Sequence, residues 1–144
     1  MTRFRTALAF DYGRKRIGVA TGQELAATTK PLTTVQVINN KPDWVRIEQL
    51  IKEWQPNILI IGLPMNMDGT EHEMSKAARR FSNQLHGRFK LPIELIDERL
   101  TSIEAEDIIA EARRSGRIKR SKSKTSIDQV AAEIILKNWL EMEH

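Results

Sequence analysis

Short apolar runs alternate with polar segments along the chain, and these runs predict five strands. One run is interrupted by a turn rich in cations and then resumes, which predicts a hairpin of two strands over 7–20. A β-branched run at 32–38 predicts a third strand in an antiparallel meander. The near-continuous apolar run at 57–62 predicts a central strand covered on both faces, and the run at 92–98 predicts the last strand.

Apolar residues spaced three and four apart predict helices between and after these strands. Each predicted helix begins at a residue type that favours a first turn or an N-cap: Pro42, Thr70, Thr101 and Ser126. The last three starts are followed, three residues later, by the second half of a capping box: Glu73, Glu104 and Gln129. The first helix is expected to end before Pro56 and the last one at about Leu140.

Length, charge and composition narrow the class of protein. The 144 residues match one domain of about 150 residues. The formal charge of +4 and the pI near 9.6 favour an anionic partner such as nucleic acid. The chain has no cysteine, and no apolar run reaches the roughly 20 residues that a membrane span needs. We therefore expect a cytoplasmic protein that does not bind a membrane.

Carboxylates follow two of the predicted strands. Asp11 ends the apolar run of the first strand, and Asp97 and Glu98 end the last one. An ionised carboxylate at the edge of a core is unfavourable unless a cation, hydrogen bonds or water compensate it. Asp128 is expected in the first turn of the last helix. If that helix crosses the sheet, three carboxylates meet at one edge.

Each of these acids also has a purely structural interpretation. Asp11 fits an Asp-x-Gly turn with a solvated acid, and Asp128 fits an acid that complements a helix dipole. Asp97 and Glu98 point to opposite faces if the strand is regular there, so only one of them enters a shared site. The period of two does not choose between them without the register of the strand.

A cluster of carboxylates predicts a divalent cation. Clustered carboxylates raise one another's pKa, and a cation relieves that repulsion. Oxygen ligands of this kind suit Mg²⁺ or Mn²⁺. Two such ions roughly 4 Å apart support phosphodiester hydrolysis without a cysteine or histidine nucleophile. The residue types therefore predict metal-dependent hydrolysis.

Positive charge is concentrated in two segments. Arg14, Lys15 and Arg16 follow Asp11 in the hairpin turn, and a predicted loop at 113–124 carries seven cations and no acid. The cations of the loop are Arg113, Arg114, Arg117, Lys119, Arg120, Lys122 and Lys124. Both segments predict salt-dependent contact with the phosphates of a nucleic acid. A solvated face is the alternative interpretation of each charge run.

A loop at 63–69 follows the predicted central strand. Loops at the carboxyl ends of such strands are favoured ligand positions, so Asn66 and Asp68 are candidate residues of an active-site loop. A plain Asp-Gly turn is the alternative. The three histidines show no metal-ligand spacing and are predicted to be surface residues: His72, His86 and His144.

Taken together, four segments resemble the YqgF family, also called RuvX, a ribonuclease H-like group related to RuvC. The first is Ala-Phe-Asp-Tyr-Gly at 9–13 with Arg-Ile-Gly-Val-Ala at 16–20. The others are Gly-Leu-Pro-Met-Asn-Met-Asp-Gly-Thr at 62–70, Asp-Glu-Arg-Leu-Thr-Ser at 97–102, and Asp128 before Ala-Ala-Glu-Ile-Ile-Leu at 131–136. The resemblance spans nearly the whole chain.

The resemblance implies one α/β, RNase H-like nuclease domain over 1–144. Its sheet would be mixed and five-stranded, with the first three strands antiparallel and helices on both faces. The resemblance also implies that Asp11, Glu98 and Asp128 are the catalytic and metal-binding carboxylates, which selects Glu98 over Asp97. We add Arg99, beside Glu98, to the candidate nucleic-acid-binding residues.

The family is associated with maturation of the 5′ end of 16S ribosomal RNA and with four-way DNA junctions. Our main hypothesis is cleavage of structured RNA such as pre-16S rRNA, with ribosomal particles as further partners. The runner-up is Holliday junction resolution, which requires a dimer for two symmetric cuts. From the sequence we expect a monomer or a weak homodimer.

Two other classes of protein share some of these sequence features. One is a non-catalytic nucleic-acid-binding module in which the acids have lost their role. The other is an actin-like ATPase or sugar kinase, whose opening hairpin also contains Asp-x-Gly. Enzymes of that type close two related domains over a nucleotide, and a chain of 144 residues with one such hairpin disfavours that class.

Overall fold

The computed structural model describes residues 5–66, 68–98 and 123–142. The strands are β1 (Thr6–Tyr12), β2 (Arg16–Gln23), β3 (Thr28–Ile38), β4 (Lys41–Pro42), β5 (Ile58–Leu63) and β6 (Ile93–Asp97). The helices in this part of the chain are α1 (Trp44–Trp54), α2 (Glu73–Phe89) and α3 (Ser123–Glu141). None of these three helices is long and apolar enough to cross a membrane.

The strands form one mixed sheet in the order β4-β3-β2-β1-β5-β6. β1, β2 and β3 pair antiparallel, and β1, β5 and β6 pair parallel. The predicted five strands and the antiparallel arrangement of the first three are thus confirmed. The sheet gains a sixth, two-residue strand, β4, which pairs with the end of β3.

One face of the sheet carries large apolar side chains and packs against α1 and α2. Successive residues of a strand point to opposite faces, so this face takes every second residue of each strand. Its buried residues are Leu8, Phe10, Ile17, Val19, Val35, Val37, Leu59 and Ile61 from the sheet, with Ile47, Leu50, Phe81 and Leu85 from the helices. Burial of these side chains supplies most of the hydrophobic stabilisation of the α1/α2 face.

The opposite face carries small residues along β1 and β2 and packs against α3. Its core contains Ala7, Ala9, Ala20, Ile58, Ile60 and Ile96 from the sheet and Ala132, Ile135, Leu136 and Trp139 from α3. A Cβ placed on Gly18 would lie only 2.0 Å from the carbonyl oxygen of Asp128. The backbone of α3 therefore rests directly on β2 at Gly18, and no larger residue fits there.

The helix starts differ from the predicted ones. Pro42 lies in β4, and α1 is capped by Asp43, whose side chain accepts a hydrogen bond from the backbone N–H of Arg46 at 3.2 Å. The N-cap of α2 is His72 and not Thr70. Ser126 lies within α3, which begins three residues earlier. For α1 and α2 a nearby residue, Asp43 or His72, is the N-cap, and α3 extends beyond its predicted start.

The helix predicted to start at Thr101, with Glu104 completing its capping box, lies outside the described residues. The predicted loop at 113–124 overlaps α3 at its end, because Lys124 lies in the first turn of that helix. The remainder of that loop is outside the described part of the chain.

The close contact at Gly18 predicts a large effect of one methyl group. We expect Gly18→Ala to lower the free energy of unfolding by about 1–3 kcal/mol, because the new Cβ would meet backbone atoms of α3. The matched control is Gly87→Ala in α2, where a Cβ meets no atom within 4 Å. This control should be neutral or stabilising by about 0.5–1 kcal/mol, since alanine favours helix. Urea unfolding measures both, and equal stability of the two variants would contradict the packing described.

Candidate active site

Asp11 and Glu98 lie at the carboxyl ends of β1 and β6, on the face of the sheet that packs against α3. Asp11 shares this face with Ala7 and Ala9, and it pairs across the hairpin with Gly18. Glu98 directly follows β6, next to Gly62 of the parallel neighbour β5. A Cβ on Gly62 would lie 2.9 Å from Oε1 of Glu98, so the glycine leaves the room that the carboxyl group occupies.

The register of β6 distinguishes Glu98 from Asp97. Ile96 is buried on the α3 face, whereas Ile93 and Leu95 pack against the core of the α1/α2 face. Alternation therefore assigns Asp97 to the α1/α2 face and directs Glu98 to the α3 face. The choice of Glu98, which the sequence made only through the family resemblance, has a physical basis in this register.

Asp11 and Glu98 interact through their carboxyl groups, and the pKa of each is raised. Burial raises the pKa of Asp11 well above its usual range, and the neighbouring Glu98 and Asp128 charges raise it further. Burial also raises the pKa of Glu98, while its hydrogen bond with Asp11 lowers it. Both carboxyl groups therefore retain a proton to higher pH than isolated side chains would, Asp11 most strongly.

Asp128 enters the same region from α3. Because α3 begins at Ser123, Asp128 lies in its second turn, where a helix dipole provides little stabilisation. Its carboxylate accepts a hydrogen bond from Nε of Arg16 at 3.2 Å. The negative charge of Asp128 contributes to the raised pKa of Asp11. The three predicted acids thus influence one another electrostatically at one end of the sheet.

No preformed cation site of three or more acidic, histidine or cysteine side chains is present among residues 5–66, 68–98 and 123–142. The structure shows instead a guanidinium, that of Arg16, paired with Asp128, and the pKa of Asp11 is raised well above its usual range. The role of the three residues as metal ligands stays a prediction.

The hairpin turn places cations beside these acids. A cavity of about 290 Å³ is lined by the turn residues Gly13, Arg14, Lys15 and Arg16 and by Asp128. Arg14 forms an exposed ion pair with Glu73 at 3.0 Å. The remaining predicted nucleic-acid-binding side chains lie outside the described residues or, for Lys124, on a part of α3 whose side chains are not described. They are Arg99, Arg113, Arg114, Arg117, Lys119, Arg120, Lys122 and Lys124.

The loop between β5 and α2 is closed by its own hydrogen bonds. Oδ1 of Asp68 accepts from the backbone N–H and the hydroxyl of Thr70, at 2.9 and 2.6 Å. The Asn66 side chain donates to the same hydroxyl at 3.0 Å. The Asp-Gly turn predicted as the alternative is present, with Gly69 at φ 91°. A role of Asn66 and Asp68 in an active site stays a prediction.

His72 has a structural role that the sequence interpretation missed. Its Nδ1 accepts from the backbone N–H of Met74 at 3.1 Å, and its own N–H donates to Ser75 Oγ at 3.0 Å. Ser75 in turn donates to the carbonyl of Pro64, which joins the start of α2 to the loop after β5. The spacing of His72 and Ser75 was the available signal for this cap.

Comparison with known proteins agrees with this architecture. Thermus thermophilus RuvC in complex with a Holliday junction substrate matches with a TM-score of 0.58 at 10% identity, over 90% of each chain. A fowlpox virus resolvase, also in complex with junction DNA, matches with a TM-score of 0.56 at 12% identity, over 95% of this chain and 99% of the resolvase. The fold is therefore that of the RNase H-like resolvases.

Sequence comparison identifies the family. The RuvX family, described as Holliday junction resolvase, matches residues 5–142, and the chain belongs to this family. A "Putative pre-16S rRNA nuclease" of Pectobacterium carotovorum subsp. carotovorum (strain PC1) is 48% identical over 140 residues, covering 97% of this chain and 98% of the relative. A relative with the same name from Yersinia pseudotuberculosis serotype IB (strain PB1/+) is 48% identical over 137 residues, 95% of each chain.

The raised pKa of Asp11 predicts an unusual effect of pH on stability. A raised pKa in the folded state stabilises the protein below the ordinary range of an aspartic acid, and this contribution is lost as the pH rises through the folded pKa. In Asp11→Asn the side-chain amide can still donate a hydrogen bond to Glu98 and does not ionise, so this contribution is not lost as the pH rises. We therefore expect the variant to melt a few degrees higher than the wild type at neutral pH in EDTA, since about 1 kcal/mol corresponds to roughly 2–4 °C.

Glu53→Gln, which removes an exposed acid of α1, is the control with the same change of charge. Thermal melts across the acidic range should show the advantage of Asp11→Asn disappearing below the ordinary aspartic acid range. An advantage that is independent of pH, or equal in the control, would contradict a raised pKa of Asp11.

Proposed function

We propose that this protein is a metal-dependent endonuclease that hydrolyses phosphodiester bonds in RNA, acting in maturation of the 5′ end of pre-16S rRNA. The observation that carries the proposal is the half-buried Asp11–Glu98 pair at the carboxyl ends of β1 and β6, where the charge of Asp128 also acts on Asp11. The names of the relatives that are 48% identical over nearly their whole length support RNA as the substrate. The proposed domain spans 1–144, and ribosome maturation places it in the cytoplasm.

Asp11, Glu98 and Asp128 would hold the divalent ions, Mg²⁺ or Mn²⁺. The donor set fits, because all three side chains offer only oxygen and their mutual repulsion favours a cation over the ionised cluster. When bound, two such ions supply a polarised phosphate and an activated water. The protein contributes the fixed positions of the carboxyl groups, which β1, β6 and α3 determine before any ligand arrives.

Side chains of the hairpin turn would bind the substrate backbone. Arg14 and Lys15 are exposed beside the cavity next to Asp128, and the phosphates of a nucleic acid are the natural partner of such cations. The net charge of +4 supports the same class of partner. Structured RNA in a ribosomal particle would present several phosphates to this surface at once. We propose that the protein acts as a monomer or a weak homodimer.

The second candidate function is Holliday junction resolution. It is favoured by the description of the RuvX family and by the two resolvases of the same fold. The same carboxylates would act on DNA, so the site chemistry does not separate the two substrates. A resolvase needs two active sites in a symmetric dimer, and this requirement ranks the junction second.

Cleavage assays with Mn²⁺ test the proposal on two substrates, a precursor 16S rRNA fragment and a synthetic four-way DNA junction. We expect cutting of the RNA at its 5′ side. Asp11→Asn should reduce the cleavage rate by more than about 100-fold with RNA affinity retained, because it removes a ligand and no phosphate contact. Glu53→Gln should cut like the wild type.

Two other results have distinct meanings. Cutting of the junction alone would overturn the ranking of substrates in favour of the resolvase. RNA binding without cutting by the wild type, together with unchanged biological activity of Asp11→Asn, would contradict the nuclease and indicate a non-catalytic binding module.

A further inference from the structure

Arg16 is the cation most closely associated with the three acids. It begins β2 and lies on the same face of the strand as Gly18, two residues on. At Gly18 the strand touches the backbone of Asp128, and at Arg16 it reaches the side chain: Nε of Arg16 lies 3.2 Å from Oδ2 of Asp128. Residues 16–18 therefore hold both the backbone and the carboxylate of Asp128.

The surroundings of this ion pair differ from those of its neighbour in the same turn. The Arg16 and Asp128 side chains are 23% and 25% exposed. Those of Arg14 and Glu73 are 58% and 87% exposed, so water screens this second pair far more. Of the two ion pairs, only the Arg16 pair involves one of the acids proposed as metal ligands.

We propose that Arg16 is a positioning residue that occupies the Asp128 carboxylate in the metal-free protein and yields it when a divalent ion binds. This inference rests on the proposed function, because it takes Asp128 to be a metal ligand. In the metal-free protein the guanidinium of Arg16 is paired with the Asp128 carboxylate at 3.2 Å. Arg16 thus keeps Asp128 at the site without an ion, and it competes with the ion for the same oxygen.

Competition has a measurable consequence for metal affinity. Removing the guanidinium removes this ion pair, so an incoming ion no longer has to displace Arg16 from Asp128. We therefore expect Arg16→Gln to bind Mn²⁺ more tightly than a variant that loses an equal charge elsewhere in the turn. A partly exposed ion pair corresponds to a gain of roughly threefold to fivefold.

The experiment is a calorimetric titration of the full chain with Mn²⁺ alone, without nucleic acid. Arg14→Gln is the matched control, since it removes the same charge from the same turn but pairs with Glu73 and not with Asp128. Arg16→Gln should bind Mn²⁺ threefold to fivefold more tightly than Arg14→Gln. Arg16→Lys, which keeps the charge but lacks the Nε–H donor, should gain less, and it keeps the comparison available if the glutamine variant does not fold.

Thermal stability in EDTA gives a second readout. Arg16→Gln should have a lower melting temperature than Arg14→Gln at neutral pH, because it loses the ion pair with Asp128. Saturating Mn²⁺ should narrow that difference. Equal or weaker Mn²⁺ binding by Arg16→Gln relative to Arg14→Gln, with Arg16→Lys equal to wild type, would overturn the inference.

Asp128→Asn separates this failure from failure of the proposed function. If Asp128→Asn weakens Mn²⁺ binding while the Arg16 and Arg14 variants bind alike, the metal site stands and the inference about Arg16 is wrong. If the wild type does not bind Mn²⁺, or if Asp128→Asn binds Mn²⁺ as tightly as the wild type does, then the metal site and the inference about Arg16 both fail.

Discussion

The contact between the backbone of α3 and the backbone of β2 is the constraint on which the candidate site depends. A helix lies this close to a sheet only where side chains are absent or small, and Gly18 with Ala9 and Ala20 provides such a surface. The contact brings Asp128 to the end of the sheet where β1 places Asp11. A bulkier residue at Gly18 would push Asp128 away from Asp11, although neither acid is itself replaced.

The two faces of the sheet differ in what they carry: one holds the large core side chains, and the other holds the acids of the candidate site. Large side chains such as Phe10 and Phe81, whose rings meet edge to face at 5.7 Å, fill the core beneath α1 and α2. Asp11 and Glu98 lie on the other face, where burial raises the pKa of both and the charges of Glu98 and Asp128 raise that of Asp11 further. The large core stabilises a fold in which this unfavourable cluster persists. Such local destabilisation is typical of catalytic sites.

Much of this arrangement could be predicted because it depends on local pattern. The hairpin, the position of Asp11 after an apolar run, and the buried strand β5 follow from short-range alternation of residue types. The choice between Asp97 and Glu98 could not be made from the residues, since it depends on how β6 aligns with β5. The pairing of Arg16 with Asp128 joins residues 112 positions apart and is determined by the packing of α3.

Helix starts were the weakest predictions for a different reason. Thr70 has the sequence of a capping box, but its hydroxyl and N–H bind Asp68, so the cap passes to His72. Ser126 likewise has a suitable partner at Gln129, yet the helix begins before it. Several polar residues near a helix start compete for the same backbone donors, and tertiary contacts decide between them.

A divalent ion bound by Asp11 and Glu98, as proposed, would displace the proton that the raised pKa of Asp11 retains. Calorimetric titration with Mn²⁺ in two buffers of different ionisation enthalpy counts the protons released on binding. At mildly acidic pH, above the ordinary range of a carboxyl group, we expect the wild type to release protons on binding Mn²⁺ and Asp11→Asn to lose that release. Binding of Mn²⁺ by the wild type with no proton released would contradict this expectation.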